Sequence, residues 1–339
     1  MANDDRAGAA ISRRKRPRRL WRILATAIAS LLCLLLLVRV APPGAVIGQI
    51  GDMSPAWLLA GLALELGSCL SYPVVFRRFF PEPPRGVSCR VSWVAMGVGA
   101  VLPGGNVSSA AAAGWLMRRH GLGQRRLLER CSALLCLLTL FGFLVNGVAA
   151  LLLLVRVPDG PHDLLHTGGP ILVSVAVLGS AALLMLAARR LGARSPLPLR
   201  ALGTALEGAW NEARSGHWRL LGAAGFLCLY MGSLWAACAA TGHRLGFLAV
   251  LIAYCIGYLA TLIPIPAGLG VLDSGLAGAL VLYGLSPAAS VGAVLVYHAI
   301  SIWVPGLGGL IASLSIRSRR RLDAHEPAIA TASLEPAAS

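Results

Sequence analysis

Six stretches of the chain, near residues 22–40, 56–76, 131–155, 170–188, 220–240 and 288–312, are apolar for about 17 to 25 residues with scarcely a charge among them. A helix of that length crosses the hydrocarbon core of a bilayer, and in lipid a helix satisfies its peptide groups within its own segment. The chain is therefore expected to be an all-α polytopic membrane protein. Composition agrees: of 339 residues, 57% are hydrophobic and 13% charged, more apolar surface than a soluble core of this length can bury.

Two further apolar regions, 91–117 and 247–283, are interrupted by Pro and Gly. The first reads Leu102-Pro103-Gly104-Gly105-Asn106 at its break, the second Pro264-Ile265-Pro266-Ala267-Gly268-Leu269-Gly270. Orientation follows from the basic residues, which are retained on the cytoplasmic side. Of the 30 lysines and arginines, all but Arg39, Arg156 and Arg244 fall in alternate connections between spans, which places both termini in the cytoplasm. The clusters Arg77 to Arg90 and Arg118 to Arg130 flank the first broken region and must share a face, so that region enters and leaves by one side as a re-entrant helical hairpin. The second must likewise return to the face it left. The expected order is an inverted repeat, three spanning helices plus one broken hairpin per half: six full spans, two hairpins and eight apolar regions in all. Pro103 precedes Gly121-Leu122, and Pro266 precedes Gly284-Leu285, by the same spacing.

These boundaries give a basic cytoplasmic tail over 1–20, a single transmembrane domain over 21–316 with halves at about 21–155 and 170–312, and a disordered cytoplasmic tail over 317–339. The first apolar run follows a basic stretch but ends on Arg39 and Pro42-Pro43 without a small-residue cleavage site, and reads as an uncleaved anchor. The longest cytoplasmic connection, about 189–219, has room for one amphipathic helix around 202–210. The eight cysteines have no C-x-x-C spacing and no histidine at ligand distance, and read as small packing residues. No metal site and no cofactor are expected.

Irregular backbone at membrane depth is tolerated only where it is buried in protein or lines a wet cavity. Each break is thus a candidate site, formed by Pro103, Gly104, Gly105, Asn106, Ser108 and Ser109 in the first and by Pro264, Pro266, Gly268 and Gly270 in the second. The helix that resumes after each break, around 107–109 and 270–272, offers free N–H groups and a positive dipole end to an anion such as phosphate. The competing reading is that Pro and Gly only permit tight packing. Glu65 sits mid-span with Ser68 and Tyr72 on one helical face, either as a binding or proton-linked group or as a structural hydrogen-bonding residue. Asp273, assigned to the first turn after the second break, is either functional or a cap. His298 is either a head-group contact or a core histidine. Asn146 is expected to bond a neighbouring helix, and Trp57, Trp93, Trp115, Trp218 and Trp303 to belong to an interfacial aromatic belt.

The run from Leu262 to Asp273, followed by Gly284-Leu285, Tyr297-His298, Trp303, Pro305 and Gly308, resembles the second signature of the lysylphosphatidylglycerol synthase transmembrane-region family, also called flippase-like. Leu102-Pro103-Gly104-Gly105 through Gly121-Leu122 to Glu129-Arg130 is similar to its first signature. The resemblance spans about residues 20–316. Asp273 stands where the family pattern has Glu, His298 where it has Arg, and Val107-Ser108-Ser109-Ala110 where the first signature has an acidic residue and an Arg. The resemblance implies a membrane module that translocates aminoacylated phospholipids in fused synthases and serves isoprenoid-lipid or lipid-glycan pathways in stand-alone members. The sequence has no counterpart of the soluble aminoacyl-transferase domain, so lysyl transfer is not expected.

The combined expectation is a non-enzymatic, multi-pass protein of a bacterial plasma membrane that binds or translocates an anionic lipid or lipid-linked substrate of phospholipid or polyprenyl-phosphate type. The alternative is an accessory or scaffold subunit, with a biosynthetic enzyme as partner, or an intramembrane enzyme of such a pathway using Glu65, Asp273 and His298. Nucleic acid is not an expected partner, since the basic residues abut apolar spans and carry no recognition motif.

Overall fold

The computed structural model describes residues 43–102, 105–118, 120–155, 164–243, 245–260 and 269–332, all within helices or the turns that join them. Eleven α-helices and no strand occur among the described residues. They are α1 (Pro43–Gly51), α2 (Pro55–Phe79), α3 (Arg85–Val101), α4 (Asn106–Arg118), α5 (Gln124–Leu154), α6 (Leu164–Leu191), α7 (Leu197–Arg214), α8 (Leu221–Ala240), α9 (Phe247–Ala260), α10 (Leu269–Leu282) and α11 (Pro287–Ala332).

Among the described residues, five segments are long and apolar enough to cross a membrane: Pro55–Phe79, Gln124–Leu154, Thr167–Leu191, Trp218–Ala240 and Pro287–Ile316. They coincide with five of the six runs read from the sequence, and the sixth, 22–40, lies outside the described residues. Much of their apolar surface is exposed, as on α6 at Leu172, Val175 and Leu183. Water would penalise such a surface, whereas lipid solvates it.

Each broken region is a pair of short helices in close contact. In α3–α4, a Cβ on Gly99 would lie 2.9 Å from Ser109 Cβ and 3.1 Å from the Gly105 carbonyl oxygen. In α9–α10, a Cβ on Gly257 would lie 2.8 Å from Leu276 Cα. The two pairs also end alike. After α4, Gly121 takes φ +82°, and after α10, Gly284 takes φ +105°, with Leu122 and Leu285 buried just beyond. Only glycine enters that backbone region without strain, so the spaced Gly-Leu pair of the sequence marks the same turn twice.

By internal contacts the chain forms two units, each assembled from several stretches. The first comprises Met1–Leu58, Ala149–Pro170 and Ala237–Val296. In it α9 is buried on nearly every side, with Val250, Leu251, Ile252 and Ala253 at 1% exposure or less. The α1–α2 turn is tied to the end of α8, the Ser54 amide donating to the Ala240 carbonyl at 3.0 Å and Gln49 Nε2 to the Thr241 carbonyl at 3.2 Å. The second unit comprises Leu59–Val148, Ile171–Ala236 and Tyr297–Ser339. Its core gathers Tyr72, Phe76 and Phe80 from α2 and its end, Met117 from α4, and Leu134 from α5.

Helix α11 runs on to Ala332, into the segment 317–339. Arg317 to Glu326 contains no Gly or Pro and is rich in good helix formers. Trp93 lies over Gly308, and a Cβ on Gly308 would run into its ring.

Candidate functional site

Within the second unit, α2 and α8 approach closely because the facing positions are small. A Cβ on Gly222 would stand 2.7 Å from the Val75 amide nitrogen and 2.8 Å from the Ser71 carbonyl oxygen. One on Gly225 would stand 2.7 Å from Ser71 Oγ. Small residues that bring backbones together are the usual means of helix association in lipid. At this range Ser68 Oγ donates to the Phe226 carbonyl at 2.7 Å. Tyr72 packs on Phe226 with ring centroids 5.0 Å apart.

Glu65, one turn before Ser68, is 2% exposed. Ser233 of α8 neighbours its carboxyl group, and Cys69 Sγ lies 4.0 Å from Oε1. Its Oε2 is enclosed and has no hydrogen-bond partner among the described residues. A carboxyl group so placed, in a membrane-length helix, carries a free-energy cost that the neighbouring Ser233 hydroxyl and a thiol at 4.0 Å offset only in part.

The first break leads to the same face. Helix α4 begins at Asn106, within one residue of the start read from the sequence. Gly105 takes φ +44° and its carbonyl accepts from the Ser109 amide at 3.0 Å and from Ser108 Oγ at 2.8 Å. The Ser109 side chain neighbours the Tyr72 phenol. A polar line, Ser109, Tyr72, Ser68 and Glu65, therefore runs from the start of α4 along α2. Asn106 is exposed, and Pro103 and Gly104 lie outside the described residues.

A family model, described as the lysylphosphatidylglycerol synthase TM region, matches residues 22–309. The chain belongs to that family. No curated protein matches it. As a member of the lysylphosphatidylglycerol synthase transmembrane-region family, it is a multi-pass membrane protein linked to lipid biosynthesis or transport. The family match includes both broken regions and every candidate residue named from the sequence.

Of the remaining candidates, Pro264, Pro266 and Gly268 lie outside the described residues, and Gly270 falls within the first turn of α10. Asp273 does not: α10 begins at Leu269 and its first turn holds no acidic residue. It stands half-buried one turn further in, where the field of the helix end is already weaker, and this removes much of the capping explanation. His298 is half-buried and stacks on Tyr297, centroids 5.4 Å apart, and Tyr297 packs edge-on against Tyr230 at the same distance. Asn146 fulfils its expected role, Nδ2 donating to Ser174 Oγ at 2.9 Å across α5 and α6.

Sequence reasoning missed Ser233 and the pairing of Ser109 with Tyr72. Ser233 is a lone hydroxyl in an apolar run, a signal present in the sequence. Which helix would face it is a tertiary fact. The second unit also carries ion pairs toward the ends of its helices: Arg130 with Glu82, Nη1 to Oε2 at 2.7 Å, Arg78 with Glu212 at 2.6 Å, and Arg189 with Glu207 at 2.7 Å. Burial alone would raise the Glu82 carboxyl, but its bond to Arg130 outweighs this and holds it below the usual carboxylate range.

Proposed function

We propose that this chain binds and translocates the anionic head group of a lipid or lipid-linked molecule, acting as a carrier and not as an enzyme. The observation that carries the reading is Glu65: a buried carboxyl group with an enclosed, unpartnered oxygen, on the polar line that leads to the start of α4. Intramembrane ionisable groups are costly enough that those retained usually serve a substrate or proton path. The amides of Val107 and Ser108 receive the anion, the Ser109 and Tyr72 hydroxyls continue the path, and Glu65 couples a proton. The start of α10, with Asp273 close behind it, offers the other unit a helix end of the same chemistry.

In this reading the two short-helix pairs are re-entrant hairpins of an inverted repeat. Both termini are cytoplasmic, the membrane is a bacterial plasma membrane, and the substrate is of phospholipid or polyprenyl-phosphate type. The arginine distribution supports the orientation, and family membership supports the link to lipid.

The test is native mass spectrometry of the gently solubilised protein with analysis of the retained lipids, beside transport in proteoliposomes. Wild type should retain one anionic class, and Gly268→Leu and Asp273→Ala should lose it. Glu65→Gln should abolish transport or its pH dependence. Bulk lipid held without selectivity in all forms, with Glu65→Gln transporting normally, would sink the proposal. A stable co-purifying synthase with no lipid at these positions would favour a scaffold instead. The exposed Leu197, Leu202 and Trp210 on α7 supply the observation for that second reading.

A further inference from the structure

The second unit gathers three arginines that have no acidic partner among the described residues. Arg77 closes the last turn of α2, Arg85 opens α3, and Arg219 lies in the short 3-10 turn Trp218–Leu220 before α8. Gly222, three residues after Arg219, lies against the backbone of Val75, two residues before Arg77, so the start of α8 adjoins the end of α2, and the charges of Arg219 and Arg85 both bear on the Arg77 guanidinium. None of the three forms an ion pair among the described residues, and Nε of Arg77 is enclosed without a hydrogen-bond acceptor. The carboxylates nearest in sequence are committed elsewhere, Glu82 to Arg130 and Glu212 to Arg78.

The backbone adds to the positive field. Helix α3 starts behind Pro84, which makes no side-chain cap, and its first turn contains no acidic residue. Its N-terminus therefore presents uncapped N–H groups beside the arginines. Like charges drawn together at the end of a helix cost free energy unless an anion joins them. Guanidinium groups suit phosphate in particular, through paired N–H donors.

Trp218 indicates where that phosphate comes from. The residue is 63% exposed and Arg219 lies over its ring, 5.6 Å from the ring centroid. It adjoins the apolar helix α8. An exposed indole between a basic cluster and a membrane-length helix is the pattern of a residue at lipid head-group level.

We propose that Arg77, Arg85 and Arg219, with Trp218 beside them, form a site for the phosphate of an anionic phospholipid that bridges the ends of α2, α3 and α8. The site uses none of the residues of the Glu65 line and holds whether or not the chain transports lipid.

The test is thermal unfolding of the detergent-solubilised full chain with added phosphatidylglycerol, phosphatidylcholine or sodium phosphate at matched ionic strength, with native mass spectrometry of the retained lipid. Phosphatidylglycerol should raise the Tm more than phosphatidylcholine does, and inorganic phosphate should have little effect. Each of R77Q, R85Q and R219Q should weaken phosphatidylglycerol retention by roughly fivefold, in line with the contribution of one basic residue near a membrane surface. R200Q, on exposed α7, should not. Single variants guard against misfolding of the triple variant, and the lipid preference of the wild type is read without any substitution. Equal stabilisation by both lipids, or a phosphatidylglycerol preference that survives all three substitutions, would overturn the site. Inorganic phosphate matching the lipid's effect would overturn the lipid assignment and leave a site for a soluble anion.

Discussion

Replacing Glu65 by Met separates a carboxyl group kept for function from one kept for structure. The side chain is 2% exposed, Oε2 lacks a partner, and Oε1 has only a weak thiol donor at 4.0 Å besides the neighbouring Ser233 hydroxyl. An unsatisfied buried acceptor costs about 1–3 kcal/mol, and one ordinary hydrogen bond contributes about 1 kcal/mol net. Met occupies a similar volume and adapts to an irregular space. Glu65→Met therefore removes a larger cost than the benefit it forfeits, and the protein should become more stable by up to about 2 kcal/mol. Transport should be lost. Denaturant titration in detergent, followed by tryptophan fluorescence, gives the stability, and proteoliposome transport gives the function. A variant that unfolds more readily than wild type by over about 1 kcal/mol, while still transporting, would show that Glu65 is held by bonds the protein needs, and the reasoning from its unpartnered oxygen would fail.

Gly222→Ala should destabilise the second unit by about 1–3 kcal/mol, since the added Cβ meets backbone atoms of Ser71 and Val75 that cannot rotate away; an unchanged unfolding midpoint would show that α2 and α8 do not touch there. Tyr72→Phe and Ser109→Ala should be non-additive by about 0.5–1.5 kcal/mol in a double-mutant cycle, because the two side chains are neighbours on the proposed path; strict additivity would show that the two hydroxyls are not coupled. Arg130→Gln should cost less than about 1 kcal/mol at neutral pH, the pair being partly exposed. The Glu82 carboxyl is held below its ordinary range, so this contribution is present above the unfolded-state value and fades as pH falls through the lower folded value. Acid unfolding should thus lose a component in the variant, and acid curves that superimpose would show the pair contributes nothing.

The helices were legible in the sequence because the membrane imposes a length. A run of about twenty apolar residues has few alternatives to a spanning helix, and five of the runs are helices long and apolar enough to cross a membrane. The breaks were legible for the opposite reason. Pro103-Gly104-Gly105 cannot continue an α-helix, and α3 ends at Val101 while α4 begins at Asn106. The paired Gly-Leu steps were legible as spacing, and their physical content, a left-handed glycine at each turn, needed the backbone. Glu65 was visible as a charge out of place. That its companions would be Ser233 and Cys69, and that Ser109 would reach Tyr72, depends on which helices pack together, and periodicity within one helix carries no such information.

That dependence explains why Asp273 shifted in meaning while Glu65 did not. Asp273 was read from its distance to a break, and a change of a few residues in the helix start moved it out of the first turn, where the N-terminal field acts. Glu65 was read from the chemistry of its own helix, which no boundary shift can alter. The same contrast separates the two anion sites proposed here. The one at the start of α4 rests on where a helix begins and on the buried line that reaches it. The arginine site rests on the end of α2 and the starts of α3 and α8, where the neighbouring carboxylates Glu82 and Glu212 pair with Arg130 and Arg78 and not with Arg77, Arg85 or Arg219. The first stands or falls with transport and the second with lipid retention, so Glu65→Gln and Arg77→Gln should fail in different assays, and a single defect shared by both variants would mean that one anion-binding region had been mistaken for two.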